Sequence, residues 1–296
     1  MRTLKTMLAC SVMLGVAVFG PTQAQSPPDR VMTLDEVLKG NDETALRWPN
    51  AVAAASSDQV AVADVRGSRI FFFKRIGVSW SLEGVTESPE SPVDLIWEQD
   101  RYVISTRKAG VLYALEGPLG PLTEIRMASD VRPGVLAADP SGGQWVFDQT
   151  TSRVIRVGRS GDILGGFSVG DFVTGLTARA GGGWLAALGA KGQVAVFAAN
   201  GDPVTRWELP AQGPVPAWPA GLTTDPDGKV YVADRHNGRI LVLDSSGRWI
   251  GIGSREGRDI GLLLRPAGLT RVPGGHLLVA DQGNGRAQLF RLSFGS

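Results

Sequence analysis

At four equivalent predicted turns of this chain, an aspartate is followed five residues later by an arginine. The four pairs are Asp64 with Arg69, Asp148 with Arg153, Asp234 with Arg239, and Asp281 with Arg286. A carboxylate accepts hydrogen bonds both from the backbone of a turn and from a guanidinium, so such a pair can hold a turn in place. Because one active site needs one constellation and this one occurs four times, we interpret these residues as structural pairs.

Basic residues occupy several of the turns that lie between the aspartate and the arginine of a pair. They also occupy the corresponding turns of the units that lack the pair. They are Arg66, Arg107, Lys108, Lys191, Arg235 and the adjacent His236, and no acidic residue lies among them. Lysine and arginine are common on solvated loops, which is the plain interpretation. If all these turns share one face of the fold, that face will attract anions.

Three further side chains have positions that suit a binding site. Trp48 and Trp218 each stand directly before a proline, where an indole can stack on a ligand or pack between structural units. Asp94 follows Pro92 by two residues, at the start of a predicted innermost strand. It either lines the mouth of a channel or caps the strand.

The chain offers little for metal or nucleophilic chemistry. It contains two histidines, His236 and His276, and one cysteine, Cys10. Zinc sites in proteins draw on several histidine, cysteine or carboxylate ligands, and these two histidines are predicted to lie on opposite faces. We therefore predict no metal, no cofactor and no catalytic residue.

The elements that position these residues repeat along the chain. Pro219–Gly247 and Pro266–Leu292 share one pattern, in which three runs of strand-forming residues are separated by turns rich in Gly, Pro, Asn and Asp. Similar units begin at Pro49, Pro92, Pro133, Thr174, Pro219 and Pro266. A repeat of several strands with a period near 45 residues is typical of a β-propeller.

The pattern resembles the NHL repeat, with its P-x-G-[IVL], V-A-D and D-x-x-N-x-R-[IV] motifs. The match is close in Pro219–Gly247 and Pro266–Leu292 and weaker upstream. The resemblance implies a closed propeller, commonly six-bladed. We predict an all-β, six-bladed β-propeller of NHL type over residues 48–296.

The last unit has only three strands before the chain ends. Alignment of the units places residues 30–34 opposite the missing outer strand, so we predict that the N-terminal segment 25–47 closes the ring with a strand near 30–34. Such a strand would cover an otherwise exposed edge. An alternative reads Thr33-Leu34-Asp35-Glu36 as the capping box of a short helix through Lys39.

Residues 1–24 have the pattern of a secretory signal peptide, with basic residues before an uncharged apolar run and small residues before Gln25. Its removal would take away Arg2, Lys5 and Cys10, and would change the net charge from +1 to −1. We expect a periplasmic or secreted protein with no membrane span after cleavage. A balanced charge argues against general nucleic-acid binding.

Two functions remain open. The first is a non-enzymatic binding or scaffold propeller that uses its basic turns to bind a protein partner or an anionic ligand in the cell envelope. The second is a channel-centred, metal-dependent lyase or lactonase. Resemblance to NHL-type amidating lyases implies several histidines, and resemblance to gluconolactonase-type propellers implies carboxylate and amide ligands. This chain has few of either, which favours the binding protein.

Overall fold

The structure, a computed structural model, describes residues 31–41 and 43–293, and these form an all-β protein. The strands form six four-stranded antiparallel sheets, the blades, and the first strand, β1 (Met32–Leu38), belongs to the last of them. The first three blades are β2 (Pro49–Ala54), β3 (Gln59–Asp64), β4 (Arg69–Ile76), β5 (Ser79–Glu87); β6 (Pro92–Glu98), β7 (Arg101–Thr106), β8 (Val111–Leu115), β9 (Leu122–Arg126); and β10 (Pro133–Ala138), β11 (Gln144–Asp148), β12 (Arg153–Val157), β13 (Ile163–Ser168). The last three are β14 (Gly175–Ala178), β15 (Trp184–Leu188), β16 (Gln193–Phe197), β17 (Pro203–Glu208); β18 (Pro219–Thr224), β19 (Val230–Asp234), β20 (Arg239–Leu243), β21 (Trp249–Ile252); and β22 (Pro266–Val272), β23 (His276–Asp281), β24 (Arg286–Leu292) with β1. No helix among the described residues is long and apolar enough to cross a membrane.

The six blades form a closed ring around a central channel. Each innermost strand contacts the next, in the order β2, β6, β10, β14, β18 and β22, and β22 contacts β2 again. The predicted six-bladed propeller is confirmed. Five innermost strands begin at the predicted prolines, and the fourth begins at Gly175, one residue after the predicted Thr174.

The N-terminal strand completes the last blade, as predicted. β1 runs antiparallel to β24, with Met32 opposite Leu292 and Leu38 opposite Ala287. The strand extends beyond the predicted range of 30–34 because Met32 is buried against the fifth blade and Leu38 against the first. A bulge after Leu34 shifts the alternation of side chains, so that the two residues lie on opposite faces of the last blade. The alternative helix over this segment is wrong. Arg30 and the predicted signal peptide, residues 1–24, lie outside the described residues.

The core consists of apolar clusters between the faces of adjacent blades, one for every neighbouring pair around the ring. The middle strands of each blade are covered on both faces, so they are continuous apolar runs such as Val60-Ala61-Val62-Ala63, all fully buried. Outer strands such as β13 and β17 are largely exposed. A single blade could not bury both of its faces, so the blades depend on one another.

Candidate functional site at the channel mouth

One face of the ring carries the turns between second and third strands together with the connections between blades; we call it the top face. In every blade the residue before the third strand has a positive φ. These residues are Ser68, Gly110, Ser152, Gly192, Gly238 and Gly285. Glycine adopts this conformation without strain, whereas in the two serines the Cβ atom lies too close to the backbone, which destabilises the turn. The turn geometry is therefore constant although its sequence is not.

The four aspartates that end second strands share one role. Each accepts a hydrogen bond from a backbone N–H just before the innermost strand of its own blade. The donors are Trp48 to Asp64 (3.1 Å), Arg132 to Asp148 (3.0 Å), Trp218 to Asp234 (2.9 Å) and Leu264 to Asp281 (2.8 Å). Each carboxylate thus ties the top turn to the start of the innermost strand.

The arginines behave differently from blade to blade. Arg239 donates from Nε to Asp234 at 2.9 Å, and Arg286 donates to Asp281 at 2.8 Å. In the first and third blades the predicted pairing is wrong, since neither Arg69 nor Arg153 forms an ion pair with a described residue. The carboxylate of Asp64 is instead used by backbone N–H groups, while the Arg69 guanidinium lies over the Phe71 ring. The carboxylate of Asp148 accepts from backbone amides and from the Thr151 hydroxyl.

An asparagine in the turn distinguishes the two kinds of blade. Asn237 donates to Asp234 at 2.8 Å, and Asn284 donates to Asp281 at the same distance. Arg239 and Arg286 also donate to carbonyls of the preceding connection between blades, at Pro210 and at Asp259 and Leu262. The ion pair therefore occurs where the turn has asparagine and where the arginine anchors a long connection.

The basic turn residues all lie on the top face, but not all of them are free of acids. Lys108 contacts Glu124 at 2.8 Å, and Lys191 lies 3.9 Å from Asp171. Acids from outside these turns therefore partly neutralise Lys108 and Lys191. Arg66 lies over the indole of Trp48 at 5.2 Å, and Arg107 is exposed and contacts no carboxylate of the described chain.

Two arginines meet beside the channel without a carboxylate partner among the described residues. Arg235 is half-buried and lines the channel, and Arg265 is exposed and lines an adjoining hollow with Arg235, His236 and Glu256. Burial and then the positive charge of Arg265 lower the pKa of Arg235. The charged form of Arg235 is thus desolvated and repelled. Glu256 lines the same hollow but forms no ion pair with Arg235. A bound anion would relieve both penalties.

Arg235 begins a chain of hydrogen bonds around the mouth of the channel. Its guanidinium donates to Gln282 at 2.6 Å, the Gln282 amide donates to Asn50 at 3.1 Å, and Asn50 donates to the carbonyl of Val93 at 2.6 Å. These residues belong to blades five, six, one and two. Gln282 and Asn50 thereby orient Arg235, which lines both the channel and the hollow.

Asp94 is the residue after Val93, where this series of hydrogen bonds ends. It lines the channel, a cavity of about 570 Å3. Its carboxylate accepts hydrogen bonds from the backbone N–H of Leu95 (2.8 Å) and, in the next blade, of Leu136 (2.7 Å). Desolvation raises the pKa of Asp94 to about 6, although both hydrogen bonds act in the opposite direction. Both expected roles, channel lining and backbone capping, coexist in this residue.

Aromatic rings border the mouth. The indole of Trp218 lines the channel and stacks against His236, with ring centroids 4.9 Å apart. Phe172 also lines the channel, is 57% exposed, and meets Phe147 edge-on. Trp48 is half-buried beneath Arg66 and is not among the channel-lining residues. Trp218 and Phe172 are therefore placed to contact a ligand, and Trp48 is placed to hold a surface arginine.

Sequence reasoning missed Arg265, Gln282, Asn50 and Phe172. Arg265 had a usable signal, because it precedes a blade-opening proline as Trp48 and Trp218 do. Gln282 and Asn50 lie far apart in the chain and meet only because the last blade closes on the first. Among the described residues no three His, Cys, Asp or Glu side chains cluster to hold a metal, and His236 and His276 lie on opposite faces.

Comparison with known proteins supports the fold. The NHL repeat model matches residues 217–243, and no curated protein is similar in sequence. Among solved structures, a streptogramin B lyase matches with a TM-score of 0.64 at 10% identity, covering 88% of this chain and 98% of that one. A protein proposed to be a gluconolactonase gives 0.65 at 14% identity, covering 87% and 98%. The WD40 β-propeller domain of Doa1 gives 0.62 at 12%, covering 88% and 97%. The likeness shows the propeller fold and does not separate functions.

Proposed function

We propose that this six-bladed propeller, which carries an NHL repeat in its fifth blade, is a binding protein of the cell envelope that holds an anionic ligand, or an acidic segment of a protein partner, at the mouth of its channel. The observation that carries the proposal is the Arg235–Arg265 pair. Both guanidinia lie beside the mouth, neither has a carboxylate partner in the described chain, and the half-buried one is oriented by Gln282.

The surroundings suit such a ligand. Trp218 and Phe172 present aromatic faces next to the cationic pair, and aromatic and arginine side chains are the groups most often found at the centre of binding sites. Arg66 and Arg107 add positive charge further out on the same face. The envelope location is proposed from the predicted signal peptide.

The test uses a fluorescently labelled oligoglutamate peptide as the probe. Its affinity should fall as salt is raised, because exposed charges are screened beyond about 10 Å at 0.1 M ionic strength. Reversing Arg235 and Arg265 to glutamate should weaken binding by about tenfold or more, the effect of losing about 1.4 kcal/mol. The control reverses Lys229 and Arg248, which lie on the opposite face and already contact acids. Equal losses in both variants would refute the proposed site.

A channel-centred lyase or lactonase is the second candidate, favoured by one observation. Asp94 lies in the channel with a pKa of about 6, which suits a residue that exchanges protons near neutral pH. Metal analysis of the purified full chain tests this candidate. One tightly bound divalent ion per chain, lost in Asp94→Asn, would support the enzyme over the binding protein.

A further inference from the structure

We infer that the channel mouth selects a dipolar ligand, with an anionic group held at Arg235 and an ammonium or other hydrogen-bond donor held at Asp94. The inference rests on the proposed function and adds the chemical class of the ligand to it. It comes from two charged groups of opposite sign that line the same cavity and do not contact each other.

The two groups belong to opposite sides of the ring. Arg235 follows β19 in the fifth blade, and Asp94 lies on β6 in the second, which is three places away in a ring of six. The hydrogen-bonded chain through Gln282 and Asn50 runs between them along the rim. A ligand that reaches both groups must therefore cross the mouth.

Both groups retain unused hydrogen-bonding capacity. Each carboxylate oxygen of Asp94 accepts one backbone N–H and has a second lone pair available. Arg235 gives one N–H to Gln282 and has others to offer. Glu256 is the acid that shares the Arg235 hollow, and it lies on the rim outside the channel lining.

The wall of the cavity is mixed, with threonines such as Thr223, Thr224 and Thr270 beside apolar residues. Leu95, Val135, Leu176 and Leu222 line the cavity, with Trp218 at the rim. Its volume, about 570 Å3, is within the range of pockets that bind small molecules. A short hydrocarbon spacer between the two polar ends of the ligand would therefore contact apolar groups on part of the wall and polar groups on the rest.

The experiment compares three matched probe series by calorimetric titration of the full chain: ω-amino acids of graded chain length, the corresponding fatty acids, and the corresponding alkylamines. The best ω-amino acid should bind about tenfold or more tightly than its matched fatty acid, as expected for one added charge-assisted hydrogen bond. Asp94→Asn should abolish that preference. Arg235→Gln should weaken the binding of both the ω-amino acids and the fatty acids. Thr223→Val, a change elsewhere in the channel wall, should leave the preference for ω-amino acids over fatty acids in place.

The outcomes separate the two proposals. If ω-amino acids and fatty acids bind equally and both require Arg235, the dipolar ligand is refuted and the anion site stands. A preference that survives in Asp94→Asn refutes the role of Asp94. If alkylamines bind while both acid series do not, or if no series binds, both proposals fail. Asp94→Ser, a smaller uncharged substitution, serves where the asparagine variant does not fold.

Discussion

Arg239 donates from Nε to the carboxylate of Asp234 at 2.9 Å, and both side chains are at least 95% buried. The same two residue types face each other at Asp64 and Arg69 in the first blade, and there the guanidinium turns onto Phe71 instead. One repeated motif therefore performs two different structural tasks within one ring.

Removal of the guanidinium should accordingly cost much more in the fifth blade than in the first. Arg239→Ala leaves a buried carboxylate without its ion-pair partner and releases the connection at Pro210, at a cost of about 3 kcal/mol. Arg69→Ala, the matched control, should cost less than about 1 kcal/mol. Urea unfolding measures both. Equal losses would show that the ion pair has no special role.

The strained serines give a second prediction. Ser68 and Ser152 adopt φ values of 48° and 53° where the other four blades have glycine. Ser68→Gly and Ser152→Gly should each raise the free energy of unfolding by about 0.5–1 kcal/mol, because relief of the αL penalty exceeds the added chain entropy of glycine. Ser129→Gly, at an exposed position without positive φ, should lower stability slightly. A loss of stability in both turn variants would contradict this account.

Closure of the ring by β1 gives a third prediction. Deletion of residues 31–40 exposes the edge of β24 and removes Met32 and Leu38 from the clusters on either side of the last blade. The protein should lose several kcal/mol of stability, since burial of each such side chain contributes about 1.5–3 kcal/mol. Thermal unfolding tests this, and a midpoint within a degree or two of the undeleted chain would contradict the prediction.

Asp94 makes stability depend on pH in a definite direction. Its pKa is raised from 3.8 in the unfolded chain to about 6 in the folded one, so the folded state holds the proton more tightly. The stabilisation is complete below about pH 4 and is lost as the pH rises through about 6, at about 1.4 kcal/mol per unit of pKa shift. Asp94→Asn should flatten this part of the curve relative to wild type. An unchanged slope between pH 4 and 6 would contradict the raised pKa.

The fold was predictable because its determinants are local. Blade-opening prolines such as Pro219 and Pro266, the aspartate that ends four of the second strands, and the glycines of the turns recur at a nearly constant period, and that period predicts the propeller. The closing strand followed from counting strands in the last repeat. Its extent did not, because the burial of Leu38 depends on blades distant in sequence.

The candidate site was only partly predictable, for the same physical reason. Arg235 and Asp94 were identifiable by position, but their environments arise from the closed ring. The Gln282–Asn50 hydrogen bond joins residues from opposite ends of the described chain, and the acids facing Lys108 and Lys191 come from the outer strand β9 and a connection between blades. Which cations remain free of acids is therefore a tertiary property.

The claim that an anion binds between Arg235 and Arg265 is tested most directly by NMR of the arginine Nε–Hε groups during titration with oligoglutamate. The signals of Arg235 and Arg265 should shift together and saturate, while those of Arg179 and Arg248, on the opposite face, stay fixed. The Arg235 shift should vanish in Gln282→Ala, because this change releases the guanidinium from the hydrogen bond that orients it. Equal shifts on both faces, or an Arg235 signal that does not respond at saturating peptide, would contradict the account.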